Sequence, residues 1–200
     1  VAHHVDILIS APQKGWSGIP CCALVVLGER ARARIDATSS SSFACDLKKW
    51  MQIMETYENG GHAYHATMPT DALAALRDVM RETENYGFER VRQEQQEVGL
   101  RVRALLAGKG FASVAAEGFQ APGVVVSYAD DPEIQSGRRF AAIGLQIAAG
   151  VPLQCDEPAD FSTFRIGLFG LEKLHNPDRT VRNLADALEL LTRPEPTAVA

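Results

Sequence analysis

Apolar positions crowd residues 5–9 and again residues 21–27, two short runs rich in Val, Leu and Ile, and each predicts a strand. Between them, residues 10–20 carry Pro12, Gly15, Gly18 and Pro20, a punctuation that excludes regular structure and predicts a loop. A short helix is expected over 29–37. The polar run 38–42 is read as a turn capping a helix from Cys45 to Tyr57, which Asn59, Gly60 and Gly61 terminate.

A longer periodic stretch opens at Thr70 and Asp71, with Leu73, Leu76, Val79, Met80 and Tyr86 falling on one helical face. Gly87 interrupts it. Phe88, Val91, Val98, Val102 and Leu105 then carry a second stripe as far as Gly108 and Gly110, with Gln95 polar inside it. A glycine between two long helices is a natural boundary, so the sequence is divided into a domain over 1–86, a small α/β domain over 87–191, and a loose tail over 192–200. Within the second domain the pattern predicts a strand over 124–128, a helix over 132–148, a strand over 163–169, and an amphipathic helix over 177–191 opened by Asn176 as cap and Pro177 at its first position. No internal repeat is found.

Composition narrows the function classes. The chain has 200 residues, 46% hydrophobic and 22% charged, the proportions of a globular protein. A formal net charge of -5 gives no broad basic footprint for nucleic acid or an anionic membrane, so neither is expected as a partner. No apolar run reaches the roughly 18 to 20 residues of a membrane helix. Cys21, Cys22, Cys45 and Cys155 form no C-x-x-C pair, and Cys21 and Cys22 lie in an apolar run where thiols act as small hydrophobes; a reducing cytoplasm is the expected location. The N-terminal residues lack signal-peptide features and an initiator Met, and read as the continuation of a larger protein. The two leading strands are apolar on both faces, as in a sheet covered from each side, yet nothing in the sequence is set to cover them. They are expected to be exposed in this chain.

Lys14 carries the most chemical information. A lysine following a strand, in a loop held by proline and glycine, is placed where partial desolvation would make its amine a nucleophile toward a carbonyl; the alternative is a solvated surface lysine. Tyr64 and Thr67 offer hydroxyl donors suited to phosphate, or else a packed aromatic and a helix cap. Arg165 stands among the apolar residues Phe164, Ile166 and Leu168, where a guanidinium needs a partner; the alternative is a surface arginine on an edge strand. His62 and His65 lack a nearby third ligand, and no metal is expected.

Three segments, in order, carry a family resemblance. Ser10-Ala-Pro-Gln-Lys-Gly-Trp16 with Pro20 resembles the lysine segment of class V aminotransferases, the fold-type-I group that includes alanine–glyoxylate and serine–pyruvate aminotransferases. Gly61-His-Ala-Tyr-His-Ala-Thr-Met-Pro69 resembles their tyrosine and threonine segment, and Thr163-Phe-Arg-Ile-Gly-Leu-Phe-Gly170 their substrate-arginine strand. The resemblance implies an α/β fold, the C-terminal part of a fold-type-I transferase dependent on pyridoxal 5'-phosphate: the end of the large-domain sheet plus the small domain. It implies Lys14 as the Schiff-base lysine and proton shuttle, and Gln13 facing the cofactor, where a loop hydrogen bond is an equal reading. Tyr64 and Thr67 would be phosphate ligands donated across a homodimer interface, and Arg165 the grip on the substrate α-carboxylate. Substrates would be a small amino acid and a 2-oxo acid such as glyoxylate or pyruvate. The family's glycine-rich phosphate turn, stacking aromatic and pyridinium aspartate have no counterpart before Lys14, and Asp6 is too close to it in sequence to be that aspartate. A lyase or desulfurase on the same scaffold, or a non-catalytic truncated module, are the alternatives; no cysteine is expected in an exposed loop near the lysine, which disfavours the desulfurase.

Overall fold

Strand β1 (Ile7–Ser10) pairs antiparallel with β2 (Leu24–Leu27), Ile7 opposite Leu27 and Ser10 opposite Leu24, in a computed structural model that describes residues 4–191. Both strands are shorter than the apolar runs that predict them. Residues 21–23 stay outside the ladder, so Cys21 and Cys22 precede β2 instead of alternating along it. As expected, the ribbon is uncovered among the described residues: Leu8 is 57% and Ile9 72% exposed. Asp6 ties the start of the ribbon to helix α1 (Glu29–Asp36), accepting two bonds from the Arg30 guanidinium at 2.7 and 2.6 Å.

Helix α2 (Leu47–Glu58) starts later than its sequence pattern and takes a different cap. The Asp46 carboxylate accepts from the Lys49 backbone N–H at 3.0 Å, whereas the 38–42 run is irregular and the bend leading toward the helix falls at 43–45. An ion pair between Arg32 and Glu55 links α1 to α2. Helices α3 (Thr70–Tyr86) and α4 (Phe88–Gly108) break where expected, at Gly87, whose φ of 101° belongs to a conformation that side chains with a Cβ avoid. By its contacts the chain divides into two compact units, one reaching Val79 and the other beginning at Met80, inside α3.

The second unit holds the larger core. Strands β3 (Val124–Tyr128), β4 (Ala148–Ala149) and β5 (Thr163–Gly167) form an antiparallel sheet in the order β3-β5-β4, with β5 central. Val125 and Ser127 stand opposite Ile166 and Phe164, and these four buried residues line the face covered by helices. Against them pack Val98, Val102 and Leu106 of α4, spaced by four, and Leu184, Leu188 and Leu191 of α8 (Pro177–Leu191). Phe164 is fully buried and meets the Phe111 ring edge-on at 5.3 Å. The α8 cap follows the sequence: Asn176 Oδ1 accepts from the Arg179 N–H at 2.9 Å, with Pro177 at the first turn.

The helix expected over 132–148 is corrected. It is two short helices, α5 (Pro132–Gln135) and α6 (Arg138–Ala142), joined through Gly137 at φ 80° and ended by Gly144 at φ 83°. Two left-handed glycines stop a helix that composition alone would continue. Ala148 and Ala149 then become strand by pairing with Arg165 and Phe164. Helix α7 (Leu171–Leu174) follows β5, which ends at Gly167 rather than at Phe169. The tail expected over 192–200 lies outside the described residues.

Close approach to backbone accounts for the glycine at position 99. A Cβ on Gly99 in α4 would sit 2.6 Å from the Pro122 carbonyl oxygen, while one on Gly108 would meet nothing within 4 Å. Alanine favours a helix over glycine by about 1 kcal/mol, but overpacking against backbone costs about 1–3 kcal/mol. Gly99→Ala is therefore expected to lower the denaturant midpoint, and Gly108→Ala to leave it unchanged or raise it, in equilibrium unfolding followed by circular dichroism.

Candidate active site

Lys14 follows β1 in a tight run of turns. Pro12 is fully buried, the Ser17 N–H donates to the Lys14 carbonyl at 2.8 Å, and the Gly18 N–H donates to the Pro12 carbonyl at 2.9 Å. Leu76 of α3 closes over the turn so tightly that a Cβ on Gly18 would lie 3.3 Å from its Cδ1. The sequence foresaw the fixed backbone, but the side chain departs from it. Lys14 and Gln13 are both exposed, so the described residues do not enclose the amine. Nor does the Lys14 Nζ make a hydrogen bond or ion pair among the described residues. The reason is local: Pro12 turns its ring inward and the lysine, two positions on at the turn's apex, points out.

Tyr64 and Thr67 come together. Their hydroxyl oxygens are 3.2 Å apart, and Tyr64 is 74% exposed, which rules out the packed-aromatic alternative. Thr67 turns its hydroxyl to Tyr64 and makes no capping bond to α3 among the described residues. The segment is fastened by its histidines. His65 stacks on Phe43 at 4.3 Å, meets the Trp50 edge at 5.1 Å, and places Nε2 3.1 Å from the Phe43 carbonyl oxygen. His62 lies against Tyr57. The two imidazoles are held by different aromatics, and no group of three metal-ligating side chains occurs among the described residues.

Arg165 sits on the central strand, not on an edge. It pairs with Val126 on one side and Ala148 on the other, on the sheet face opposite Phe164 and Ile166, and is half-buried. Its Nε donates to the Ala149 carbonyl at 2.9 Å. Among the described residues no carboxylate pairs with it, so the outer edge of a planar, two-pronged cation is left for an external oxyanion.

Two residues here escape the sequence reading. Glu157, in the loop between β4 and β5, folds back on the chain before it: its carboxylate accepts from the N–H groups of Leu153, Gln154 and Cys155 at 2.6–2.9 Å. Those backbone donors hold its acidity at a pKa of about 2. Gln154 and Asp156 adopt positive φ to form this nest, and no hydrophobic period marks such a turn. The second residue is Cys155, exposed in the same loop; Cys45 is exposed as well. The sequence reading concerned an exposed cysteine loop near Lys14, and the exposure of these two thiols by itself places neither of them there. Asp6, bound to Arg30, has its carboxylate engaged, and the Arg30 hydrogen bonds hold its pKa below the ordinary value.

The sequence matches no family model and no curated protein sequence. Solved structures do match. Alanine–glyoxylate aminotransferase from Nostoc sp. superposes with a TM-score of 0.77 at 21% identity, over 96% of this chain and 49% of its own. Aspartate aminotransferase from Thermus thermophilus gives 0.73 at 21% identity, over 95% and 51%, and ureidoglycine–glyoxylate aminotransferase from Bacillus subtilis 0.70 at 22%, over 94% and 46%. The chain spans about half the length of these structures and has their fold over that half. No helix among the described residues is long and apolar enough to cross a membrane.

The Glu157 nest sets a pH window. Its folded pKa lies below its ordinary value of 4.5, so the stabilisation is complete above that value and is lost as pH falls through about 2. The protection factors of the Leu153, Gln154 and Cys155 amides, taken against their intrinsic exchange rates, should hold at pH 4 and fall as pH drops through about 2. Glu157→Gln, read at pH 6, should expose the same three amides.

Proposed function

We propose that this chain carries part of the active site of a pyridoxal-phosphate-dependent aminotransferase acting between a small amino acid and a 2-oxo acid such as glyoxylate or pyruvate. The observation that carries the reading is a fold shared with aminotransferases over nearly the whole chain, with a lysine held in a built turn at the end of the first strand. Pyridoxal phosphate, when bound, supplies an electron sink for the bond that breaks at the amino-acid carbon. The donor set suits it: an amine at Lys14 without a partner among the described residues, two adjoining hydroxyls at Tyr64 and Thr67, and a guanidinium at Arg165 held by Ala149 at Nε and facing no carboxylate among the described residues.

Each residue then has a task. Lys14 Nζ would hold the cofactor through its aldehyde carbon and, once displaced, would carry the proton taken from the substrate carbon. Tyr64 Oη and Thr67 Oγ1 donate to phosphate oxygens, in a homodimer to those of the partner's site, and their exposure supports that use. Gln13 adjoins Lys14 and would face the cofactor. Arg165 fixes the substrate carboxylate with two parallel bonds, Nε being already held by Ala149. The exposed apolar ribbon, and relatives about twice as long, support assigning the ring-stacking and pyridinium contacts to polypeptide outside this chain. In this reading residues 1–86 belong to the large domain and 87–191 to the small one. Four free cysteines support a reducing, cytoplasmic location.

Cys155 supports a second reading on the same scaffold. It is an exposed thiol in the loop that leads into the strand of Arg165, the kind of group a desulfurase needs to accept sulfur. The two separate on product. Sulfide release from cysteine that vanishes in Cys155→Ser favours the desulfurase, whereas 2-oxo-acid formation unaffected by that change favours transamination.

Borohydride reduction in the presence of pyridoxal phosphate, followed by peptide mapping of the full-length protein, should place the pyridoxyl group on Lys14; labelling elsewhere, or none, overturns the reading. Arg165→Lys should raise the KM for the amino acid roughly ten- to hundredfold, equivalent to about 1.5–3 kcal/mol, with the cofactor absorbance band intact. An unchanged KM in the loaded variant removes Arg165 from the site.

A further inference from the structure

We propose that Cys21 and Cys22 form a vicinal dithiol site that captures a monosubstituted trivalent arsenical. Neighbours on an extended strand point to opposite faces, which would hold two sulfurs apart. Here Pro20 and the short β2 keep residues 21–23 out of the ladder, and the two Sγ atoms lie 3.8 Å apart. This is the one pair of cysteines in sulfur contact among the described residues; Cys45 and Cys155 are exposed and have no such neighbour. Both thiols of the pair are half-buried, within reach of a small reagent.

The donor count selects the ligand class. A soft divalent cation wants three or four protein donors, and no group of three His, Cys, Asp or Glu occurs among the described residues. A trivalent arsenic that already bears one carbon substituent needs only two. Condensation forms two As–S bonds and breaks two As–O bonds. Each departing hydroxyl leaves with a thiol proton as water, and the oxidation states of arsenic and sulfur are unchanged. Burial pushes the Cys22 thiol up, with the neighbouring Cys21 sulfur adding to the effect, so a one-armed alkylating reagent finds little thiolate there. A reagent that closes a ring across both sulfurs gains the second bond at high effective concentration.

The test uses phenylarsine oxide on the whole chain, read by intact mass under native conditions. The expected result is one adduct that survives excess 2-mercaptoethanol and is removed by dimercaptopropanol. It should persist in the Cys45→Ser/Cys155→Ser double variant and be lost in Cys21→Ser and in Cys22→Ser, each with an unchanged far-ultraviolet circular dichroism spectrum. An adduct retained by either single variant, an adduct lost from the double variant, or no dithiol-reversible adduct on the folded wild-type chain overturns the proposal. If the single variants do not fold, blocking of adduct formation by prior Cys21–Cys22 disulfide formation with diamide, mapped by peptide mass, decides it: an undiminished adduct on the crosslinked chain refutes the site.

Discussion

The placement of Arg165 depends on how helix α4 grips the chain at the start of β3. Gly99 removes the one side chain that would hold the Pro122 backbone away, and two long side chains then fasten what has come close. Gln95 Nε2 donates to the carbonyls of Pro122 and Leu168, each at 3.2 Å, so one amide spans the loop before β3 and the segment after β5. Arg103 donates to Ala121 and Val124 from a setting where burial pulls its guanidinium below the ordinary range. Its buried Nε finds no partner among the described residues. Such a charge is tolerated only where the remaining bonds outweigh its desolvation. Because β3 and β5 are registered to each other residue by residue, fixing their shared end fixes the position of the guanidinium on β5.

That arrangement explains what was legible in the sequence. Most of the stripes of α3, α4 and α8 survive into the structure because burial of one helical face is what spaces apolar residues by three and four; in α4 the expected Phe88 is exposed and Leu106, outside the expected stripe, is buried in its place. Gln95 stood out as a polar interruption of the α4 stripe, and its interruption is the clamp. The pairing of Tyr64 with Thr67 follows from the i, i+3 spacing of two hydroxyl residues across the bend at 65–66.

Other features had no local signal. Ala148 and Ala149 are strand only because Arg165 and Phe164 lie alongside; two alanines read as helix to any rule that looks along the chain and not across it. The break at Gly137 rests on a left-handed φ that sequence permits without requiring. Lys14 was legible as a fixed backbone position and illegible as a side-chain environment, since the enclosure of an amine depends on residues distant in sequence or on other polypeptide. The Glu157 nest belongs to the same class, a carboxylate held by backbone donors whose convergence appears only once Gln154 and Asp156 have turned.

The two-stranded ribbon at the start of the chain has one outer edge on each strand without a ladder partner among the described residues, and apolar side chains above and below. Unpaired N–H and C=O groups flanked by Ile and Leu are a template for whatever strand arrives first. The consequence is colloidal. Joining two ribbons edge to edge would require no unfolding of the second unit's core, so association of the isolated chain would depend on its concentration.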